Sequence, residues 1–236
     1  MDNNLDKIAE KSLYQVKTGI LMQDYTFELI KRYFDSNKDV LELGPAEGTM
    51  TRYFSSYFNS LDVVEGSGLF CKLIKSKYPR VNVYNEYFES FYIDKKYDLI
   101  ILGHVLEHVN DPVFVLENIN KMLKNNGKIF CAVPNSNSLH RQAAVIMGML
   151  DVETSMSEKD YHHGHKRVFD SSSFRSVFNQ AKFNIEHFGG YWLKPLSDIQ
   201  LESWSDEMIM AFMKLGERYP DIAAENYVIA SRKNES

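Results

Sequence analysis

The chain has 236 residues, of which 44% are hydrophobic, 25% charged and 13% aromatic; this excludes a disordered, collagen-like or disulfide-framed protein and fits one α/β domain with a small lid. The net charge of −5, from 27 Lys+Arg against 32 Asp+Glu, is spread along the chain and offers no basic face for a nucleic-acid duplex. Both cysteines, Cys71 and Cys131, lie in apolar runs, and no run approaches ~18 apolar residues, so the expectation is a cytoplasmic protein with neither disulfides nor a membrane partner.

In chain order, residues 5–34 read as one or two helices with Leu21, Tyr25, Leu29, Ile30, Tyr33 and Phe34 as an apolar stripe. Strand-length apolar runs follow at Asp39–Leu43, Leu61–Glu65, Val81–Tyr84, Tyr97–Leu102, Lys128–Val133, Phe183–Phe188 and Tyr227–Ser231. Helical patterns at Thr49–Phe58, Leu69–Tyr78 and Pro112–Lys124 separate the early ones, the last closed by Asn126-Gly127 as a C-cap signal. Asp170 is a natural N-cap for a helix carrying Phe174, Val177, Phe178 and Ala181, and Ser197–Tyr219 reads as a further amphipathic helix. Strands alternating with helices imply βαβ units and a mostly parallel, doubly wound sheet. The expected organisation is a helical cap at 1–38, a core at 39–134, a loop or lid at 135–170 and the rest of the sheet at 171–236, with a lid helix inserted at 197–219.

The strongest local signal is the run from Val40 to Met50, a strand passing through Gly44-Pro45-Ala46-Glu47-Gly48 into a helix. Such a turn lies at the carboxyl edge of a doubly wound sheet, where ligands bind. Gly44 permits a tight turn, Gly48 lets the helix pack near the strand, and Glu65, about 20 residues on, is placed to accept from a ribose diol. A dinucleotide fingerprint requires glycine where Ala46 stands, and Glu47 repels phosphate at the helix start. Nothing basic follows Glu65 in Gly66-Ser67-Gly68 to take a 2′-phosphate. These residues favour a ribose-bearing ligand without phosphates.

The whole series resembles the class I S-adenosylmethionine-dependent methyltransferases, of the small-molecule type related to ubiquinone biosynthesis. Glu42-Leu-Gly44-Pro45-Ala46-Glu-Gly48 looks like their first motif and Val63-Val-Glu65-Gly66-Ser their ribose-binding acid. Asn85-Glu86-Tyr87-Phe88 looks like the adenine-contacting turn, and the runs Tyr97–Pro112 and Leu123–Asn135 resemble the fourth- and fifth-strand motifs. The resemblance implies a Rossmann-like seven-stranded sheet, S-adenosylmethionine as cofactor, and methyl transfer to O or N of a small sugar, phenol or amine. It also implies cofactor contacts from Gly103 and His104. Two departures stand out: Ala46 replaces the middle glycine, and Glu86 replaces the commoner Asp.

Histidine is the usual base for a hydroxyl acceptor at neutral pH. The candidates are His104 after the fourth strand, His108 one helical turn on, and His165, in a segment from Asn135 to Arg167 that holds four of the seven histidines. Gly164-His165-Lys-Arg167-Val-Phe resembles a segment of the small-molecule members that walls the acceptor pocket, with His163, Arg167 and Tyr191 as candidate substrate contacts. His104-x-x-Glu107-His108 also resembles the Glu-x-x-Glu-His set of metal-dependent members, with a distal histidine from Tyr161–His165. Because its first residue is His, the leading assignment carries no metal. The alternatives are a SAM-binding module without acceptor chemistry and a nicotinamide-dependent reductase; Ala46 and the lack of a Tyr-x-x-x-Lys pair speak against the latter.

Overall fold

A computed structural model describes residues 17–233. In chain order the elements are α1 Lys17–Lys31, β1 Asp39–Leu43, α2 Thr49–Tyr57, β2 Ser60–Val64, α3 Gly68–Lys77, β3 Asn82–Tyr84, β4 Tyr97–Gly103, α4 Pro112–Asn120, β5 Leu123–Pro134, α5 Leu139–Ile146, α6 Glu158–His162, α7 Ser171–Gln180, β6 Phe183–Tyr191, α8 Asp198–Leu201, α9 Asp206–Gly216 and β7 Glu225–Arg232. The part of the expected N-terminal helices before residue 17 lies outside the described residues.

The strands form one seven-stranded sheet in the order β3-β2-β1-β4-β5-β7-β6. All neighbours are parallel except β7, which runs antiparallel to β5 and β6. Alternation along each strand divides the core. Leu99 and Ile101 of β4 join the layer of α1, α2 and α9, while Ile100 and Leu102 join that of α4 and α7. The strand order reverses between β1 and β4, opening a crevice at their carboxyl ends.

Two predicted boundaries are corrected. The helix expected over Pro112–Lys124 stops at Asn120, and Leu123 already pairs with Tyr97 at the start of β5. The register then slips, so that Leu99 faces Lys128. Gly127 lies inside this irregular stretch, where an added Cβ would stand 2.7 Å from the Tyr97 carbonyl. The glycine is therefore a close-approach position within a strand, not a helix stop. The helix expected over Ser197–Tyr219 is two, α8 and α9, because the Ser205 hydroxyl accepts from the Met208 amide and starts a new helix. The segment 135–170 contains α5 and α6, and Asp170 caps α7 as expected, accepting from the Ser173 amide.

Candidate active site at the carboxyl edge of the sheet

Three residues of the loop after β1 adopt left-handed backbone: Gly44 (φ 66°), Ala46 (φ 48°) and Gly48 (φ 78°). Glycine reaches this region freely, whereas Ala46 carries a strain of about 1 kcal/mol. The Ala46 amide is turned onto the next element of the site, donating to Glu65 Oε2 at 3.2 Å, while the Ser67 amide donates to Oε1 at 2.8 Å. The acid after β2 is thus clamped between the glycine loop and the start of α3. Pro45 is buried beside this turn. Gly44 also admits Phe88, whose ring carbon would lie 3.3 Å from an added Cβ.

Beneath the loop, Glu42 is 3% exposed and accepts from Thr51 Oγ1 at 2.7 Å. Burial, aided by the nearby charge of Glu65, pushes its carboxyl up to about 8. Asn85 donates to the carbonyls of Glu65 and Gly66 at 2.9 and 3.1 Å, fixing the turn after β3 against the turn after β2. Glu86 and Tyr87 are exposed at the mouth, and Phe88 is half-buried.

Across the crevice, β4 ends at Gly103, above which an added Cβ would meet nothing within 4 Å. His104 then turns left-handed (φ 59°) and points its ring between two carboxylates. Nδ1 lies 3.3 Å from Glu107 Oε1, and Nε2 lies 3.6 Å from Glu225 Oε2. Burial opposes protonation, but Glu225 and Glu107 together hold the imidazole up to about 9. Glu225, at the start of antiparallel β7, was not among the sequence candidates; the only signal is an acid opening a buried apolar run. Burial raises its own carboxyl.

Glu107 is fully buried, and neither of its oxygens has a geometrically sound hydrogen bond. Burial works against its charge, yet His104, His108 and His165 hold it below the usual carboxylate range. Ligand-capable atoms of Glu107, His108 and His165 lie within 4.8 Å of one another. His165 Nδ1 stands 3.2 Å from Asp160 Oδ1, with Arg141 on the other carboxylate oxygen at 3.0 Å. A histidine backed by a carboxylate keeps its second nitrogen facing inward, the arrangement common behind metal-bound imidazoles. The donor set therefore fits a divalent cation. His104 is outside it, turned instead toward Glu225.

The remaining candidates separate. The His163 ring tilts against that of His165 at 6.0 Å, and burial lowers its pKa to about 4. Arg167 donates to the Asn110 carbonyl at 2.9 Å and so ties the histidine segment to the turn after β4, as does the Lys166 amide on the Glu107 carbonyl. Tyr191 is fully buried, stacked on Tyr25, with Thr26 Oγ1 donating to its hydroxyl at 3.1 Å. Packing between α1 and the sheet accounts for its position.

A family described as "Methyltransferase domain" matches residues 20–187. The chain belongs to this family. Its fold is that of the class I methyltransferases. An S-adenosylmethionine-dependent methyltransferase from Mesorhizobium loti superposes with a TM-score of 0.64 at 15% identity, covering 87% of this chain and 96% of the other. The N-methyltransferase NodS from Bradyrhizobium japonicum, solved with S-adenosylhomocysteine, gives 0.59 at 12% identity, covering 94% and 91%. Ubiquinone biosynthesis O-methyltransferase of Photobacterium profundum is 28% identical over 43% of this chain and 42% of its own length. This chain matches about half the length, or less, of its curated relatives. Among the described residues, no helix is long and apolar enough to cross a membrane.

Proposed function

We propose that this chain transfers the methyl group of S-adenosylmethionine to an oxygen or nitrogen of a small-molecule acceptor. The observation that carries this reading is His104, set between Glu107 and Glu225 at the end of β4, beside the open space over Gly103 and across the crevice from the Glu65 clamp. In this reading Gly44, Ala46 and Gly48 would cradle the cofactor, Glu65 would take its ribose hydroxyls, Glu86, Tyr87 and Phe88 would flank the adenine, and His104 would lie on the acceptor side.

The transfer is an in-line displacement: the acceptor heteroatom forms a bond to the methyl carbon as the carbon–sulfur bond breaks, and the sulfonium becomes a neutral thioether. Alignment is the main task. A hydroxyl acceptor also loses a proton, which His104 can receive only once its own imidazolium is deprotonated, so transfer to oxygen should quicken as pH rises towards about 9. An O-methyltransferase and an N-methyltransferase among the similar proteins support both acceptor atoms equally.

A second reading rests on the orphaned oxygens of Glu107. Glu107, His108 and His165 would hold a divalent ion, which would supply Lewis acidity to an acceptor hydroxyl. Removing ions with a chelator and adding back magnesium, manganese or zinc separates the two readings; full activity without ions rules this one out.

Calorimetric titration with S-adenosylmethionine, S-adenosylhomocysteine and NADH tests the cofactor assignment. Release of S-adenosylhomocysteine over a panel of phenols, sugars, amines and transfer RNA tests the acceptor class. Turnover confined to RNA would overturn the small-molecule reading.

A further inference from the structure

Beyond the histidines, the carboxyl edge carries a second charged cluster that the methyl-transfer geometry does not use. Its centre is Asp198, at the start of α8. Lys194 donates to Asp198 Oδ1 at 2.6 Å, Lys159 to Oδ2 at 2.7 Å, and Thr18 Oγ1 to Oδ1 at 2.9 Å. One carboxylate therefore serves two ammonium groups.

Lys194 is not a surface lysine: its side chain is only 12% exposed. It is delivered there by the left-handed turn at Trp192 (φ 66°). That turn is pinned to the end of α9 by the Trp192 and Leu193 amides, which donate to Met213 and Phe212 carbonyls at 2.9 Å. Gly216 makes this contact possible, since an added Cβ would lie 2.4 Å from the Trp192 nitrogen. Burial depresses the Lys194 pKa, so the fold spends stability to keep an amine in this place.

His140, from the first turn of α5, faces the same group. Lys194, Arg141, Asp198 and Lys159 all act on it electrostatically. Its Nδ1 is buried and has no hydrogen-bond partner. Burial, with the lysines and Arg141, keeps the ring neutral near pH 7, available as a hydrogen-bond donor. On the other side, Lys194 and Lys159 act on Glu225, the residue that faces His104. The cluster thus continues directly from the position where methyl transfer is proposed to occur. An isolated Lys–Asp pair would need neither a second ammonium nor an unsatisfied imidazole; a bound anion would satisfy both.

We propose that Lys194, Lys159 and His140 form a subsite for a carboxylate or phosphate group of the acceptor, which is thus an anionic small molecule. This deepens the proposed methyl transfer and rests on it.

The test titrates the protein, alone and loaded with S-adenosylhomocysteine, with benzoate, phenyl phosphate and neutral benzyl alcohol. Calorimetry follows affinity, and the His140 ring signals in NMR follow location. At least one anion is expected to bind about tenfold or more tighter than the alcohol and to shift His140. Lys194→Met is expected to abolish that preference, Lys194→Arg to retain it, and Lys159→Ala, on an exposed side chain, to weaken it. Phosphate-only or carboxylate-only binding identifies which group the acceptor carries. Equal affinity for alcohol and anions, no anion binding, anion binding that leaves His140 unmoved, or anion affinity untouched by Lys194→Met and Lys159→Ala would each overturn the proposal. Failure to bind S-adenosylhomocysteine would instead strike the methyl-transfer reading, and the unloaded arm keeps the two outcomes apart.

Discussion

Replacing Glu42 by glutamine should stabilise the protein, and increasingly so as pH rises. The carboxyl is 3% exposed and accepts a hydrogen bond from Thr51, while burial carries it from its ordinary 4.5 up to about 8. A raised carboxylate pKa means that the folded state holds a proton which the unfolded chain gives up. Its contribution is complete below the unfolded value and is lost as pH rises through the folded one. Between about pH 5 and 8 the wild type should lose about 1.4 kcal/mol per pH unit from this group, about 4 kcal/mol in all. The glutamine carbonyl can still accept from Thr51 and carries no titratable proton. Urea unfolding of both proteins at half-unit intervals from pH 5 to 9 isolates the effect, because all other titrations cancel in the difference. The gap should widen through this window and flatten above pH 8. A constant gap, or a variant less stable at every pH, would refute the reasoning and imply that Glu42 stays ionised in the fold.

The other expectations concern the crevice. Glu65→Ala should weaken S-adenosylhomocysteine binding by about 2 kcal/mol, a ~30-fold rise in Kd by calorimetry, since it removes charged acceptors from the ribose position; unchanged affinity would displace the ribose site. His104→Ala should lower kcat about 100-fold while leaving cofactor Kd within about threefold, measured by product release and calorimetry on the same preparation. Gly44→Ala should cost about 2–4 kcal/mol in urea unfolding. It forces φ 66° on a residue with a side chain and puts the new Cβ 3.0 Å from Val105 and 3.3 Å from Phe88.

How much of this was legible in the sequence depended on the range over which each feature is decided. The glycine loop, the acid after β2 and the cap at Asp170 are local: backbone sterics and short side chains fix them within a few residues, so Gly44, Gly48, Glu65 and Asp170 could be read directly. The alternation of strands and helices, and hence the parallel sheet, followed from apolar periodicity. Periodicity failed where a tertiary neighbour overrode it. Leu123 fits the helical stripe of α4, yet it pairs with Tyr97 because β5 needs a buried partner for the start of β4.

Charge relationships across the crevice were beyond the sequence. His104 and His108 could be noticed as a turn apart, but only the folded chain turns His104 toward Glu225 and sets His108 with Glu107 and His165. The same holds for His140 and Lys159, which come from two segments other than that of the Lys194–Asp198 pair. Local rules determine which loop can cradle a nucleotide-like ligand, because they act on adjacent φ and ψ. Which ionisable groups face one another, and therefore what the site can hold and protonate, is decided by sheet order and helix packing: electrostatic interaction depends on distance through space, not along the chain.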